Sequence, residues 1–234
     1  MPNILHSILT PFRDLLFVAD CLHCGTPLRD GDRRVCRQCW DSLTPVRGGD
    51  HTLEVLRARF AAGGAIDGLE ALCYFEKGGL LQSLAHALKY GEVTALGYEL
   101  GYRLGAIVPP GSTDLIIPVP LNKRKERERG YNQSDWIGKG LSERTGIPFR
   151  TDIVRRRRYT VTQTHLNAQE RKKNIADAFE VVLPQAVQHA SCIIVDDIIT
   201  TGSTIQELAA VLKQAGAARI VAAAAGLARL GEDG

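Results

Sequence analysis

Hydrophobic residues in this chain occur in short runs that alternate with helical patterns, which indicates an α/β fold. Residues 192–195 form an apolar run typical of a strand covered on both faces, and residues 220–225 form a second one. Between them, four apolar residues recur at helical spacing: Ile205, Leu208, Ala209 and Leu212. The order strand, helix, strand predicts a βαβ unit and therefore a parallel sheet.

Weaker signals of the same kind continue through the rest of the chain. Apolar runs predict further strands over residues 71–75 and 114–120, with short ones over 151–154 and 178–182. Helical patterns are expected over residues 53–60, 80–90, 94–107 and 136–141. The predicted fold is an α/β fold with a mostly parallel sheet flanked by helices.

The pattern also divides the chain into three parts. Residues 3–18 form an amphipathic lead-in, whose apolar face is expected to pack on the domain behind it. Two cysteine pairs follow, so residues 1–45 are predicted to be the lead-in and a small metal module. Pro45, Gly48 and Gly49 indicate a linker. We therefore assign residues 46–70 to a linker or hood and residues 71–234 to the main α/β domain.

A group of acids and hydroxyls follows the apolar run at 192–195. Asp196 and Asp197 stand where that strand is expected to end. Four hydroxyls then surround one glycine, in the order Thr200, Thr201, Gly202, Ser203 and Thr204. Thr204 and Glu207 have the spacing of a capping box, which predicts that the next helix begins there, and Gly216 is placed to end it.

This group predicts a site for a phosphorylated ribose. Ligands bind at the carboxyl ends of parallel strands, and a helix N-terminus there favours a phosphate. Paired carboxylates suit the hydroxyls of a ribose and can also act through Mg²⁺. Turn and cap roles explain any one of these residues, but a cap needs one hydroxyl and not four. Neither the glycine–lysine pattern of NTPase loops nor the dinucleotide fingerprint occurs here.

Four cysteines near the N-terminus form two C-x-x-C pairs separated by eleven residues: Cys21, Cys24, Cys36 and Cys39. Two such turns can close a four-thiolate site around Zn²⁺. Two disulfides are the alternative, but nothing indicates secretion, and a redox motif needs only one pair. We interpret the pairs as a structural zinc site with no open position for chemistry. Chelation is then expected to unfold this module and leave the sheet domain folded.

A run of cations follows the predicted strand at 114–120. Residues 123–129 hold five cations, which can face an anionic ligand, form a solvated surface or bind nucleic acid. Glu126 and Glu128 within the run weaken the nucleic-acid interpretation. Further along, residues 159–167 lack apolar periodicity and predict a mobile loop that contains Gln163 and His165.

The composition limits the classes of protein to which the chain can belong. With 234 residues, 44% hydrophobic and 24% charged, the chain can hold one sizeable domain and a small one. A formal net charge of +3 is too small to indicate nucleic acid by itself. No run approaches a membrane span in length, and residues 4–9 lack the basic segment of a signal peptide. We therefore expect a cytoplasmic protein with reduced thiols.

Several short motifs occur together along the chain. Besides the four cysteines they are Leu-Lys-Tyr at 88–90, Ile-Pro-Val-Pro-Leu at 117–121, Arg-x-x-Arg-x-Arg-Gly-Tyr-Asn-Gln at 124–133, Glu-Arg-x-x-Asn at 170–174 and Val-Asp-Asp-Ile-Ile-Thr-Thr-Gly-Ser-Thr at 195–204. Their combination resembles the ComF/GntX group of phosphoribosyltransferase-like proteins, the competence protein ComF family. The resemblance covers nearly the whole chain.

The resemblance implies a type I phosphoribosyltransferase fold with a small N-terminal zinc module. It implies a glycosyltransferase that uses Mg²⁺ to transfer a phosphoribosyl group from phosphoribosyl pyrophosphate (PRPP) to an unidentified acceptor, releasing pyrophosphate. In the family the paired acids, here Asp196 and Asp197, hold the ribose hydroxyls, and the loop at 200–204 holds the 5-phosphate. The pyrophosphate is assigned to Lys89, Arg124, Arg127 and Arg129. The loop that closes over the site is assigned to Gln163, His165 and Arg171.

The same resemblance implies a second hypothesis, because the ComF group is linked to natural competence, the uptake of DNA. On this hypothesis the protein is a non-catalytic PRPP-sensing component of the uptake machinery that contacts single-stranded DNA or a partner helicase or ATPase. The cations at 124–129 and the closing loop favour the enzyme, whereas the lack of a recognisable acceptor pocket favours the second hypothesis. A plain zinc-ribbon DNA binder leaves residues 196–204 unexplained.

Overall fold

The computed structural model describes residues 20–91, 93–109, 111, 113–157 and 178–229. The amphipathic lead-in predicted over 3–18 lies outside these ranges. Gln163, His165 and Arg171, with the loop predicted around the first two, lie outside them as well.

The main sheet has four parallel strands in the order β1, β6, β5, β2. These strands are Gly68–Phe75 (β1), Leu115–Pro118 (β2), Ser191–Ile199 (β5) and Arg219–Ala228 (β6). Residues 193–195 and 222–225 of the two central strands are almost fully buried, which is why both strands appear in the sequence as continuous apolar runs. A separate antiparallel pair joins Val154–Arg156 (β3) to Phe179–Val181 (β4), so the short strand predicted over 151–154 begins only at Val154.

Seven helices lie in the described ranges, together with a 3₁₀ turn at Pro184–Ala186. They are Arg37–Asp41 (α1), His51–Ala62 (α2), Leu80–Tyr90 (α3), Thr94–Gly105 (α4), Lys123–Arg129 (α5), Gln133–Thr145 (α6) and Ser203–Gln214 (α7). The cation run at 123–129 is thus a short helix, which the Asn122 side chain caps by accepting from Arg124 N at 2.9 Å.

Two hydrophobic cores cover the two faces of the sheet. Ile194 of β5 lies in one core with α2 and α7, whereas its neighbours Ile193 and Val195 lie in the other core with α3, α4 and α6. This division follows from the alternation of side chains along a strand. Of the nine described glycines with positive φ, only Gly202 matters for the site below.

The boundary between β5 and α7 differs from the prediction. The sequence places the end of the strand before Asp196, but β5 continues to Ile199 and Asp196 is in register with Ala224 of β6. The strand continues because β6 offers a partner along its whole length. The capping box predicted for Thr204 and Glu207 is also wrong, since α7 begins at Ser203 with Gly202 as N-cap and no side-chain cap.

The cysteine module packs directly on the sheet domain. Cys21, Cys36 and Cys39 are buried in the second core, beside leucines of α3 and α4. His23 Nδ1 lies 2.9 Å from the Ser83 hydroxyl on α3, and the Arg103 guanidinium of α4 lies 4.0 Å from the Trp40 ring centroid. The module therefore shares a core with the sheet domain.

Residues 46–70, which the sequence assigns to a linker or hood, contain α2. Leu53, Leu56 and Phe60 of this helix are buried in the first core. The division into residues 1–45, 46–70 and 71–234 stays a prediction. The predicted fold class, a mostly parallel sheet flanked by helices behind a four-cysteine module, is confirmed. Among the described residues, no helix combines the length and apolarity needed to cross a bilayer.

Candidate functional site

A cavity of about 200 Å³ opens where β2 and β5 approach their carboxyl ends. We call it the carboxyl-end cavity; its lining residues are Lys89, Val119, Pro120, Leu121, Lys125, Arg129, Asn132, Gln133, Ser134, Arg156, Asp196, Asp197 and Thr204. Four other cavities in the described ranges are larger, and the two of about 650 and 760 Å³ lie beside the cysteine module and beside α2. None of these four is lined by the paired acids or by the hydroxyl loop, which is the segment 200–204, so size does not identify the site here.

Asp196 is fixed by two hydrogen bonds to one of its oxygens. Ser134 Oγ donates to Asp196 Oδ1 at 2.9 Å, and the backbone N–H of Asp197 donates to the same oxygen at 2.9 Å. In the described part of the chain Oδ2 has no hydrogen-bonding partner, so it is the oxygen left for a ligand. Burial raises the pKa of Asp196 to about 7, and the charge of Asp197 adds to this rise, while the hydrogen bonds and Lys89 oppose it.

Asp197 is paired with a cation from another element. Lys89 Nζ, at the end of α3, lies 3.1 Å from Asp197 Oδ2, and both side chains are mostly buried. Asp197 Oδ1 accepts from the backbone N–H of Ile198 at 2.8 Å. A ligand in the carboxyl-end cavity therefore meets two carboxylates and a cation close together.

The hydroxyl loop turns the chain from β5 into α7. Gly202 has a left-handed backbone with φ of 76° and lies against Phe60 of α2, where a β-carbon would come within 2.5 Å of the ring. Of the five predicted 5-phosphate residues, Thr204 lines the cavity, while Thr200, Thr201 and Ser203 are exposed. Because the first N–H groups of a helix have no partner within it, α7 offers anion-binding groups beside the cavity.

The cations predicted for pyrophosphate divide into two pairs. Lys89 and Arg129 line the carboxyl-end cavity, and the Arg129 guanidinium also lies 5.8 Å from the Tyr90 ring centroid. Arg124 and Arg127 are not among the residues that line it. On the exposed side of α5, Arg124 Nε is paired with Glu128 at 2.9 Å and Arg127 Nε donates to Lys123 O at 3.3 Å.

Eight lining residues were not assigned to the site from the sequence, and five of these are polar or charged. Lys125 and Arg156 belong to runs of cations, in which sequence alone does not show which member turns inward. Asn132, Gln133 and Ser134 form the start of α6 and are only 6%, 3% and 4% exposed. The Gly-Tyr-Asn-Gln motif is the signal that could have revealed them. Consecutive polar residues are rarely buried unless they belong to a binding or catalytic site.

The four cysteines form a second candidate centre. Their sulfurs all lie within 4.8 Å of one another, with 3.8 Å from Cys21 to Cys39 and 3.7 Å from Cys24 to Cys36. A tetrahedron with Zn–S distances of about 2.3 Å has edges of about 3.8 Å, so the geometry fits zinc. Hydrogen bonding with Thr26 lowers the pKa of Cys24 to about 6, whereas burial raises the pKa of Cys39, so Cys24 is the more readily deprotonated of the two thiols.

The chain is similar to several known proteins over part of its length. Residues 137–232 match the family model of the phosphoribosyl transferase domain, a segment that contains β5, the hydroxyl loop and α7. The DNA utilization protein YhgH of Salmonella typhi is 43% identical over 107 residues, 46% of this chain and 46% of that protein. Competence protein F of Haemophilus influenzae is 38% identical over 108 residues, 46% of this chain and 47% of that protein.

The matched segment spans about half the length of these relatives. Among solved structures, glutamine phosphoribosylpyrophosphate amidotransferase from B. subtilis, complexed with ADP and GMP, is similar with a TM-score of 0.43 and 22% identity. That similarity covers 56% of this chain and 26% of the amidotransferase chain.

Proposed function

We propose that this protein is a PRPP-dependent phosphoribosyltransferase. Its residues 137–232 match the phosphoribosyl transferase domain, and it is similar to DNA utilization and competence proteins. The enzyme transfers the phosphoribosyl group to an acceptor and releases pyrophosphate. The supporting observation is that one cavity brings together Asp196, Asp197, Thr204 at the start of α7 and the cations Lys89 and Arg129. A ribose that carries a 5-phosphate and a diphosphate has a partner for each of these groups.

The ribose binds at the acids. Asp196 Oδ2 is the free oxygen of a fixed carboxylate, so it can accept a hydrogen bond from a ribose hydroxyl without losing an existing one. Asp197 accepts from the neighbouring hydroxyl once Lys89 moves aside. The oxygen donors of these carboxylates also fit Mg²⁺, which when bound neutralises the charge of the diphosphate. Holding two adjacent hydroxyls fixes the orientation of the reacting carbon.

The 5-phosphate binds at the start of α7. Its oxygens accept from the N–H groups of the first turn and from the hydroxyls of Thr200, Thr201, Ser203 and Thr204. The left-handed backbone of Gly202 turns the chain from β5 into α7, so these groups lie on one short turn. The phosphate thus anchors the end of the ribose away from the bond that breaks.

The pyrophosphate leaves towards the cations. Lys89 and Arg129 line the cavity on the side of α3 and α5, and Lys125 and Arg156 add charge to the same cavity. As the bond from the ribosyl carbon to the pyrophosphate oxygen breaks, charge accumulates on the leaving group and these cations stabilise it. Lys89, which moved away from Asp197 when the ribose bound, is paired with a phosphate oxygen throughout this step. Arg124 and Arg127 extend the basic surface outside the cavity.

The remaining assignments complete the proposal. Gln163, His165 and Arg171 lie outside the described residues, and they keep the role expected from the sequence, which is to exclude water from the bound ligand. The four cysteines hold a structural zinc ion, and the chain works in the cytoplasm, where thiols stay reduced.

PRPP binding tests the proposal directly. Calorimetric titration with PRPP and Mg²⁺ is expected to give binding by the wild type and none by the double variant Asp196→Asn, Asp197→Asn. Asp114→Asn is the matched control, because Asp114 Oδ2 accepts from Ser191 N at the opposite end of β5. Equal affinity of the wild type and the double variant would refute the ribose assignment. Pyrophosphate release in the presence of a small-molecule extract then tests for transfer.

The names of the relatives favour a second candidate, a PRPP-sensing accessory protein of DNA uptake that contacts single-stranded DNA or a partner ATPase. The two candidates differ in the release assay. PRPP binding without pyrophosphate release, together with DNA binding that weakens steeply with salt, would favour the accessory protein.

A further inference from the structure

The buried polar atoms around the carboxyl-end cavity include donors without a hydrogen-bonding partner. In the part of the chain that the structure describes, three buried side-chain polar atoms lack a partner: Tyr74 Oη, Gln133 Nε2 and Arg156 Nε. Two of these three, Gln133 and Arg156, belong to residues that line this one cavity. Such atoms are rare in folded proteins because an unpaired buried donor is costly, and a ligand that supplies an acceptor removes the cost.

Gln133 differs from its two neighbours. Asn132, Gln133 and Ser134 are all buried at the start of α6. The Asn132 amide donates to Val119 O at 3.0 Å and to Asp135 Oδ1 at 2.8 Å, and Ser134 donates to Asp196. Packing therefore provides partners for both neighbours but leaves the Gln133 amide nitrogen without one, although its side chain is 97% buried.

Arg156 supplies a donor from the other side of the cavity. It ends β3, and its guanidinium lies 5.3 Å from the Phe179 ring centroid of β4. This contact holds the planar group against the hairpin while Nε stays unpaired. The two donors thus come from separate elements, and both belong to residues that line the cavity with Lys89 and Arg129.

We propose that Gln133 and Arg156 are ligand-binding residues that donate hydrogen bonds to phosphate oxygens in the carboxyl-end cavity. Turning the Gln133 amide towards the cavity breaks no hydrogen bond at Nε2, so the ligand gains a donor at little cost. The acceptor is an anionic oxygen, because the cavity already holds four cations and because charged acceptors form the stronger bonds. This inference rests on the proposed function for the identity of the ligand as PRPP. That the ligand carries phosphate oxygens follows from the cations and donors of the cavity alone.

The test uses Gln133→Met, which keeps the length of the side chain and removes the amide. Titrations of PRPP with Mg²⁺ and of inorganic pyrophosphate are compared for the wild type, Gln133→Met, Arg156→Lys and the control Gln214→Met, at the exposed far end of α7. Gln133→Met is expected to weaken binding about tenfold. Its melting temperature is expected to stay equal or rise, since an unpaired buried donor is lost. Arg156→Lys, which keeps the charge and loses Nε, is expected to weaken binding in the same direction.

The outcomes separate this inference from the proposed function. Pyrophosphate binding by the wild type without PRPP binding refutes the proposed function and still tests Gln133 through pyrophosphate. Unchanged affinity of Gln133→Met would overturn the inference, as would weaker binding with a clear fall in melting temperature, because the amide would then have a structural partner. Absence of binding of both probes to the wild type overturns it too.

Discussion

Among single residues, Asp196 shows most clearly that the candidate site lowers the stability of the fold. It lies inside β5, shares its surroundings with a second carboxylate, and is held by Ser134 from α6. Burial and the neighbouring charge raise its pKa to about 7. A strand residue chosen for stability would be apolar, as Val195 beside it is. An acid at this position costs stability, which is what the proposed ribose site predicts.

This raised pKa predicts how stability depends on pH. The folded protein keeps a proton on Asp196 up to about pH 7, whereas the unfolded chain releases this proton at about pH 4. The folded state binds more protons in this window, so the free energy of unfolding falls as the pH rises through it. Asp196→Asn is expected to raise the free energy of unfolding at pH 8 by roughly 1–4 kcal/mol and to change it little near pH 4.

Urea unfolding at a series of pH values measures this effect. Asp152→Asn is a control of opposite sign, because Arg150 holds the pKa of the Asp152 carboxyl below its usual range. That variant should lose stability at pH 8. A constant difference between the wild type and Asp196→Asn at all pH values would show that burial does not perturb this acid.

At the scale of elements, the turn between β5 and α7 depends on a third element, α2. Gly202 has a left-handed backbone and its α-carbon faces the buried Phe60 ring. The predicted capping box fails here because the N-cap position is taken by a residue without a side chain. The N-cap residue supplies no side-chain acceptor, and the long 3.5 Å hydrogen bond from Ser203 N to Thr201 Oγ1 is one that an anion can replace.

Gly202→Ala is therefore expected to be costly. The added β-carbon has both an unfavourable backbone conformation and a contact with Phe60, and together they should lower the free energy of unfolding by about 2–4 kcal/mol. Gly146→Ala is the matched control, since Gly146 has φ of 73° and open space where a β-carbon would lie. The difference between the two variants in denaturant unfolding reports the Phe60 contact. Equal losses would mean that Phe60 moves aside freely.

On the scale of the whole molecule, the cysteine module is part of the second core. Buried Cys36 and Cys39 pack with α3 and α4, and His23 is joined to Ser83. The sequence predicts a module that unfolds alone on chelation. The shared core predicts a different result, in which loss of the metal also destabilises α4 and α3, the helix that carries Lys89.

Chelation of zinc is expected to lower the melting temperature of the whole protein by roughly 5 °C or more, in a single transition. The physical reason is that α3 and α4 lose packing partners when the module opens. Differential scanning calorimetry with and without chelator measures the effect, and added Zn²⁺ should restore it. A separate low-temperature transition with an unchanged main one would support the independent module instead.

Local patterns in the sequence are sufficient to predict whether most elements are helices or strands. Continuous apolar runs identify β5 and β6 because strands of a parallel sheet are buried on both faces, and the helical period identifies α3 and α7. The acids, the hydroxyl loop and the cysteine spacing likewise lie in contiguous segments, so their chemistry could be inferred before the fold was seen. Boundaries were less certain, because the end of β5 depends on the length of its partner β6.

The sequence by itself thus determined the fold class, the paired acids and the grouping of the four cysteines. Only the tertiary structure decided which cations face the cavity, that Ser134 fixes Asp196, and that Gln133 and Arg156 carry unpaired donors there. It also decided that the cysteine module and α3 share one core. The reason is that these contacts join residues far apart in the chain. Their side chains meet through the packing of whole elements, which no local pattern of residues encodes.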